Sequence, residues 1–207
     1  MKAVLEEQGE EHLANSKERN RNKVRIEKPG FLNKMGIKGM RIGSINMEEE
    51  DLSEWEDHGN TVTRVPFEKV SELFEWKDIF PEWIDEEQEN EGYLCPEIPM
   101  PKFDELESVD VVVAKLPCKL PEAGWGRDMH RLQVHLIAAN MLAKKGKKDW
   151  YGRTRVVFLS KCRPMMELFR CDDLVKREGD WWYFEPDMVR LEQKVSCLLY
   201  TSDAADE

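Results

Sequence analysis

The stretch "VDVVVAKLP" (Val109–Pro117) decides the fold. It is an almost uninterrupted run of apolar, mostly β-branched residues. Strands of a parallel sheet have this composition because helices cover both of their faces. We therefore predict that this run is the central strand of a parallel sheet.

Upstream of this strand, the sequence alternates between strand and helix patterns. "MRIGSIN" (Met40–Asn46) is short and partly β-branched, and the acidic residues of "MEEEDLSEW" after it favour a helix N-terminus. Asn46 is the expected cap of that helix, and Gly59 with Asn60 is its expected end. "TVTRVPF" (61–67) then alternates like a second strand.

Downstream, the clearest helix runs from Arg127 to Lys145. Its apolar residues recur at three- and four-residue steps, and Gly146 follows the last turn. Further segments continue the alternation: a strand at "RVVFLS" (155–160), a helix at "PMMELF" (Pro164–Phe169), a strand at "DWWYF" (180–184) and a last helix from Pro186.

This alternation predicts an α/β fold, an open and mainly parallel sheet with flanking helices. A polar, disordered arm is expected to precede it over residues 1–37, because this segment offers few side chains that could anchor a fold. The α/β domain is expected to span residues 38–196, with a separate tail at residues 197–207.

The composition is that of a folded protein. Although 35% of the 207 residues are charged, 41% are hydrophobic and seven are Trp, whereas disordered chains have few aromatic residues. The formal net charge of −11 argues against a general nucleic-acid binder, which needs clustered Lys and Arg. The sequence shows neither an apolar run long enough to span a bilayer nor a signal peptide.

Motifs for nucleotides and metals are missing from the sequence. The first strand–helix junction, "GMRIGSINMEEE", has no Gly-x-Gly-x-x-Gly turn and no Walker loop, and its acidic residues would repel a phosphate. The chain has no Asp-x-Asp motif, with which sugar-nucleotide transferases commonly hold a divalent metal. Asp172 and Asp173 are adjacent, so their side chains point apart, and Arg170 could pair with one of them. We expect a structural or surface role for this pair.

The histidines and one aromatic cluster are the remaining candidates. His130 and His135 lie five residues apart, so a helix places them on different faces, and we expect solvated or core-edge side chains. Trp181, Trp182 and Tyr183 could stack on a sugar, but alternation along a strand separates Trp182 from its neighbours, which favours core packing. We predict no catalytic, cofactor-binding or metal-binding residue in this chain.

Six segments together resemble one family: "FPEWIDEE", "CPEIPMPKF", "VDVVVAKLPCK", "RLQVHLIAAN", "SKCRPMMELFRCDDLVKREGDWWYFEPD" and "RLEQKVS". Over residues 38–196 the chain resembles the plant glycogenin-like proteins, specifically the xylan α-glucuronosyltransferases, in the region that precedes their glycosyltransferase family 8 catalytic domain. Rare Trp, Cys and Pro residues fall together in one collinear run, which makes chance similarity implausible.

The resemblance implies a Golgi type II membrane protein of plant cell-wall synthesis. Such proteins transfer glucuronic acid from UDP-glucuronate to xylan, with retention of configuration and with manganese. The family's catalytic motifs would lie beyond residue 196, so we expect this chain to be an inactive fragment, incomplete at both ends. The implied partners are its own catalytic domain, xylan and other xylan-synthesis enzymes, and the implied membrane contact is an anchor outside the chain.

Two other roles stay open at this point. One is a non-catalytic interaction or scaffolding module that recruits xylan-synthesis enzymes, or that engages the polysaccharide through the acidic segment Asp85–Glu91 and exposed aromatic residues. The other is a degenerate nucleotide-sugar fold that retains some donor binding.

The five cysteines, at 95, 118, 162, 171 and 197, show no zinc-site spacing. They are expected to be core thiols, or disulfides if the chain is lumenal. In a lumenal protein Cys95, Cys118, Cys162 and Cys171 could form two bridges, with three possible pairings that the sequence cannot rank.

The final residues, "CLLYTSDAADE" (Cys197–Glu207), depart from the family pattern and resemble translated sequencing adapter. Without this tail three acidic residues are lost, so the formal charge moves from −11 to −8. The odd cysteine is lost as well, which leaves an even set of four. We therefore expect the biological part of this sequence to end at Ser196 and to be followed in the native protein by other residues.

Overall fold

The computed structural model describes residues 29–56, 59–79, 98–118 and 127–200. In this part of the chain one sheet contains six strands: β1 (Arg41–Ile45), β2 (Thr61–Arg64), β3 (Val111–Lys115), β4 (Val156–Leu159), β5 (Leu174–Glu178) and β6 (Trp181–Phe184). The strand order is β2-β1-β3-β4-β6-β5. The first four strands run parallel, and β6 is antiparallel to both β4 and β5. The predicted α/β fold with an interior β3 is confirmed.

Helices lie on both faces of the sheet: α1 (Glu49–Glu56), α2 (Trp76–Ile79), α3 (Met129–Lys145) and α4 (Met188–Tyr200). Val112 and Ala114 of β3 belong to the apolar layer that α3 and α4 cover. Val111 and Val113 face the opposite layer, which includes Trp55 of α1. These four of the five β3 side chains are fully buried, and the burial of each valine contributes roughly 1.5–3 kcal/mol to stability.

Helix α3 ends at Lys145 as the sequence predicts, but it begins at Met129, two residues after the predicted start. Asp128 caps it by accepting a hydrogen bond from the backbone N–H of Arg131 at 2.9 Å. Gly146 ends it with φ −68°, which is an ordinary extended conformation. The glycine is needed for a different reason, because a Cβ there would lie 2.5 Å from the carbonyl oxygen of Leu142 and 2.7 Å from Thr154 Oγ1.

The predicted cap of the first helix is wrong. Helix α1 begins at Glu49, while Asn46 has φ 53° and donates from Nδ2 to the carbonyl oxygen of Lys115 at 2.7 Å. Asn tolerates this left-handed conformation better than most residues do. Asn46 therefore joins the ends of β1 and β3 instead of capping the helix.

The predicted helix at Pro164–Phe169 is also absent, and the segment forms a turn. A single bond from the Phe169 N–H to the Met165 carbonyl closes it at 2.9 Å. The Met165 N–H donates to His135 Nε2 of α3 at 3.1 Å, and the Arg131 guanidinium donates to the carbonyl oxygen of Arg163. These side-chain contacts from α3 hold the segment in a non-helical path.

The folded region begins earlier than expected. The sequence predicts that the polar arm extends to residue 37, but Phe31, Leu32 and Ile37 are buried. Phe31 stacks on Tyr183 of β6 with ring centroids 5.8 Å apart. Residues 1–28, on which the rest of the arm prediction falls, lie outside the described residues. Among the described helices, none has the length and apolarity that a membrane crossing requires.

Candidate functional site

The strand order creates a switch point between β1 and β3. The chain leaves β1 toward β2 on one side, and it leaves β3 toward β4 on the other. Trp55 of α1 and Ile137 of α3 lie in opposite apolar layers, so the two connections also cover opposite faces. In open α/β sheets such a point leaves a crevice at the carboxyl ends of the strands, and ligands commonly bind there.

A cavity of about 480 Å³ opens at this crevice, and we call it the switch-point pocket. Residues that follow three parallel strands line it, together with one residue before β6: Asn46, Met47 and Glu48 after β1, Lys115 to Cys118 at the end of β3, Leu159 to Lys161 at the end of β4, and Asp180. Its volume lies within the range of small-molecule sites.

Two links fix the rim of the switch-point pocket. The amide of Asn46 bonds the carbonyl of Lys115, and a disulfide joins Cys118 after β3 to Cys162 after β4, with Cα atoms 5.7 Å apart. The Cys162 N–H donates to Ser160 Oγ at 3.0 Å. The loops after β1, β3 and β4 are therefore cross-linked to one another at the rim.

The charges in the pocket compensate one another. Lys115 Nζ lies 2.8 Å from Asp51 Oδ2 and 3.3 Å from Glu48 Oε1. Burial alone would lower the pKa of Lys115, but hydrogen bonds to these two carboxylates outweigh it, and the pKa is raised. The first turn of α1 holds Glu49, Glu50 and Asp51, which offset the positive end of the helix dipole. A diphosphate site uses free cations and a bare helix N-terminus. Here carboxylates pair with Lys115 and crowd the start of α1, and the second lining lysine, Lys161, is balanced in charge by Asp180.

The donor set does not fit manganese. No group of three or more His, Cys, Asp and Glu side chains that could hold a metal is present in the part of the chain that the structure describes. Glu48 and Asp180 are the acids that line the pocket, and Glu48 is engaged with Lys115, as is Asp51 of α1. The amide, hydroxyl and paired charges of the pocket suit a neutral polar ligand such as a sugar better than a metal-bound phosphate.

Asp172 and Asp173 are directed to different partners, as the sequence predicts. Asp172 is exposed and pairs with Arg170 at 3.0 Å. Asp173 is buried and pairs with Arg190 of α4. Neither residue lines the switch-point pocket.

The prediction of a solvated or core-edge His135 is wrong, since this side chain is 1% exposed. Its Nδ1–H donates to the Arg131 carbonyl at 2.8 Å, and its Nε2 accepts from Met165. Burial lowers the pKa of His135 to about 3, and the Arg131 charge adds to the effect. His130 is partly buried against Phe67, with ring centroids 6.2 Å apart. The structure does not bring the two histidines together.

Core packing of Trp181, Trp182 and Tyr183 is confirmed, because all three are buried. Trp182 faces the layer of α3 and α4, and its two neighbours face the opposite layer. The Trp182 indole donates to the Ser160 carbonyl at 2.9 Å, and the guanidinium of Arg177 lies 4.1 Å from the ring centroid.

The Cys118–Cys162 disulfide removes two of the three pairings that the sequence left open. The Cys171 thiol is free and exposed. Cys95, its partner in the remaining pairing, lies outside the described residues, as does the acidic segment Asp85–Glu91.

The switch-point pocket could not be predicted because strand order is not visible in the sequence. A usable signal was the polar residue that directly follows each buried strand, Asn46 after β1 and Ser160 after β4. The exposure of two aromatic side chains between α3 and β4, Trp150 and Tyr151, was not predicted either.

The fold and the pocket define a doubly wound α/β domain with a ligand-sized crevice at its switch point. The chain belongs to the GUX1-5 N-terminal domain family, whose model matches residues 15–199.

Named relatives agree with this family. The chain is 55% identical to UDP-glucuronate:xylan alpha-glucuronosyltransferase 2 of Arabidopsis thaliana over 178 residues, which cover 84% of this chain and 30% of that protein. It is 38% identical to UDP-glucuronate:xylan alpha-glucuronosyltransferase 1 of the same plant over 166 residues, 76% of this chain and 24% of that protein. The chain thus spans less than a third of the length of these relatives. No solved structure matches it.

Proposed function

We propose that this chain is a domain of a UDP-glucuronate:xylan α-glucuronosyltransferase and that it supports the transfer of glucuronic acid without performing it. The observation that carries the proposal is the 55% identity to a relative of that name over 84% of this chain. In this proposal the domain shapes, positions or stabilises the catalytic domain of the whole protein.

The chemistry of the switch-point pocket supports a non-catalytic role. The lining carries two cations, Lys115 and Lys161, against two acids, Glu48 and Asp180, and the start of α1 is acidic. The pocket therefore lacks the excess positive charge that a UDP-sugar diphosphate needs. Manganese and UDP-glucuronate are accordingly assigned to the catalytic part of the whole protein. No step of the proposal passes through a metal in this domain.

A Golgi lumenal location is part of the same proposal. The Cys118–Cys162 disulfide supports it, because disulfides persist in oxidising compartments of the secretory pathway. The membrane anchor that this location needs would lie outside the described residues. The proposed partners are the catalytic domain of the same protein, xylan and other enzymes of xylan synthesis.

A chimera tests the supporting role. The region of alpha-glucuronosyltransferase 2 that matches this chain is replaced by residues 15–199, and transfer of labelled glucuronate from UDP-glucuronate to a xylo-oligosaccharide is measured with manganese present. The chimera should transfer glucuronate, the relative without this region should lose most of its activity, and the 207-residue chain alone should transfer none. Transfer by the isolated chain, or full activity without the region, would overturn the proposal.

Calorimetry separates this role from residual donor binding. UDP and UDP-glucuronate are each titrated into the 207-residue chain, and no binding heat is expected. A matched variant, Asp51→Asn, frees part of the Lys115 charge and serves as the comparison. Clear binding of UDP-glucuronate by the unmodified chain would contradict the assignment of the donor to the catalytic part.

A further inference from the structure

The turn between α3 and β4 presents two aromatic side chains to solvent. Trp150 is 94% exposed and Tyr151 is 80% exposed. We propose that these rings, with the basic residues beside them, bind a polysaccharide chain that carries uronic acid groups. This inference rests on the proposed function, and it adds a binding surface on this domain.

The aromatic turn is held rigidly by hydrogen bonds. Asp149 Oδ1 accepts from the N–H groups of Tyr151 and Arg153, each at 2.9 Å, and the Asp149 N–H donates to the Arg153 carbonyl at 2.8 Å. Gly152 supplies the left-handed conformation, with φ 76°, that a side chain would disfavour. The backbone that carries the two rings is therefore fixed before any ligand binds, which lowers the entropic cost of binding.

The start of α4 holds the same turn from behind. The Met188 N–H donates to the Gly152 carbonyl at 3.0 Å, and the Thr154 N–H donates to the Pro186 carbonyl at 3.0 Å. An isolated bridge also pairs Arg153 with Asp187. Because the turn is anchored to a packed helix, the exposure of the rings is a property of the folded domain.

The surroundings of the rings are basic, although the whole chain is acidic. Lys148 and Arg153 flank the pair and are exposed. Lys147, also exposed, is paired with Asp110 at 2.7 Å. The carboxylate of Asp149, the acid within the turn, is engaged with backbone N–H groups. The flanking cations complement a uronate carboxylate, while unmodified xylan carries no charge for them to pair with.

The pattern favours a polysaccharide over a membrane or a protein partner. Along the chain, the residues next to Trp150 and Tyr151 are Lys148, Asp149, Gly152 and Arg153, so the rings are flanked by polar residues and a glycine. Membrane insertion and protein hot spots both use contiguous apolar area. Aromatic rings flanked by polar groups instead suit a pyranose, which offers an apolar face and hydroxyls around its edge.

The turn lies away from the switch-point pocket. It precedes β4, at the amino ends of the parallel strands, whereas the pocket lies at their carboxyl ends. A polysaccharide bound at the turn would thus leave the pocket free. The surface would hold a section of chain that already carries glucuronate.

Binding of matched oligosaccharides to the 207-residue chain tests the surface. Affinities are measured by calorimetry for a glucuronate-bearing xylo-oligosaccharide, an unsubstituted one of equal length, and vesicles of phosphatidylcholine with phosphatidylserine. The substituted oligosaccharide should bind most tightly, and Trp150→Ala and Tyr151→Ala should each weaken it about tenfold. Lys148→Gln should reduce the preference for the substituted ligand. Leu73→Ala, at a side chain that is 88% exposed elsewhere, is the control and should change nothing.

Two outcomes would overturn the surface. One is no oligosaccharide binding, whether or not vesicles bind through Trp150, and the other is equal binding by the alanine variants. Unchanged urea midpoints for the variants exclude loss of fold as the cause of weaker binding. Failure here is distinguishable from failure of the proposed function. If the chimera transfers glucuronate while Trp150→Ala binds normally, the function stands and this surface is wrong.

Discussion

Acidification should destabilise the domain through one buried side chain, His135. In the folded protein its pKa is about 3, because burial and then the Arg131 charge disfavour the protonated ring. In the unfolded chain the pKa is near 6.5, the ordinary value of a histidine side chain. The unfolded state therefore binds more protons between these values, and the stability that neutral His135 contributes is lost progressively as the pH falls from 6.5 toward 3.

The size of the effect follows from the same two pKa values. A pH of 5 lies about 1.5 units below the pKa of the unfolded ring, so that ring is largely protonated, while the folded ring is still neutral. Linkage then gives a loss of roughly 2 kcal/mol in the free energy of unfolding between pH 7.5 and pH 5. For a domain of this size that is a large share of the total.

Urea unfolding, followed by tryptophan fluorescence at several pH values, measures the loss. The matched variant is His135→Gln, whose side chain can still accept from Met165 but does not titrate. Subtracting the variant's pH profile from that of the unmodified chain removes the contribution of other groups.

Asp110 is one such group. Burial alone would raise its pKa, but hydrogen bonds from Lys147 and from the Arg41 N–H outweigh burial, so the pKa is lowered and Asp110 affects stability at lower pH than His135 does.

The stability advantage of the unmodified chain over His135→Gln should shrink by roughly 2 kcal/mol from pH 7.5 to pH 5. A difference that stays constant across this range would refute the reasoning. It would mean that His135 is protonated as easily in the folded domain as in the unfolded chain.

Two further changes test the rim and the end of α3. Replacing both Cys118 and Cys162 by Ser should lower the free energy of unfolding by about 4 kcal/mol, since the bridge spans a sequence separation of 44. Cys171→Ser, at an exposed free thiol, should leave the free energy of unfolding unchanged, and urea titration measures both variants. Gly146→Ala should cost about 2 kcal/mol, because its Cβ would lie 2.5 Å from a backbone oxygen. Gly30→Ala, which meets only a flexible side chain, should cost much less in thermal unfolding.

The interior of the sheet could be predicted from the sequence, and its far edge could not. Strands β3, β4 and β6 are wholly or almost wholly buried, so their apolar runs are continuous and easy to recognise. Strand β5, "LVKRE", is an edge strand with four exposed residues, so it carries no apolar pattern. Its usable signal was the two-residue Gly179-Asp180 turn, which is typical of a β-hairpin. Recognising that hairpin would have predicted the antiparallel edge.

The candidate site depends on information that the sequence does not display. Alternating strands and helices predict an α/β class, but the switch point exists only because β3 pairs with β1 on the side opposite β2. Lys115 and Asp51 lie 64 residues apart and meet only in the fold. By contrast, the unsuitability of the first junction for a phosphate was predictable, since its acidic residues are contiguous.

The failed predictions for His135 and for Pro164–Phe169 have one cause, which lies in α3. This helix is buried over most of its length, yet it contains polar side chains that bond loops distant in sequence. Gln133 accepts from the Val70 N–H at 2.9 Å and donates to the carbonyls of Glu68 and Pro99. His135 likewise accepts from the Met165 N–H in the loop after β4. A buried polar group that loses its partner costs about 1–3 kcal/mol. Each of these side chains therefore ties the position of a loop to the helix, and the loops lack repetitive structure because α3 supplies their hydrogen bonds.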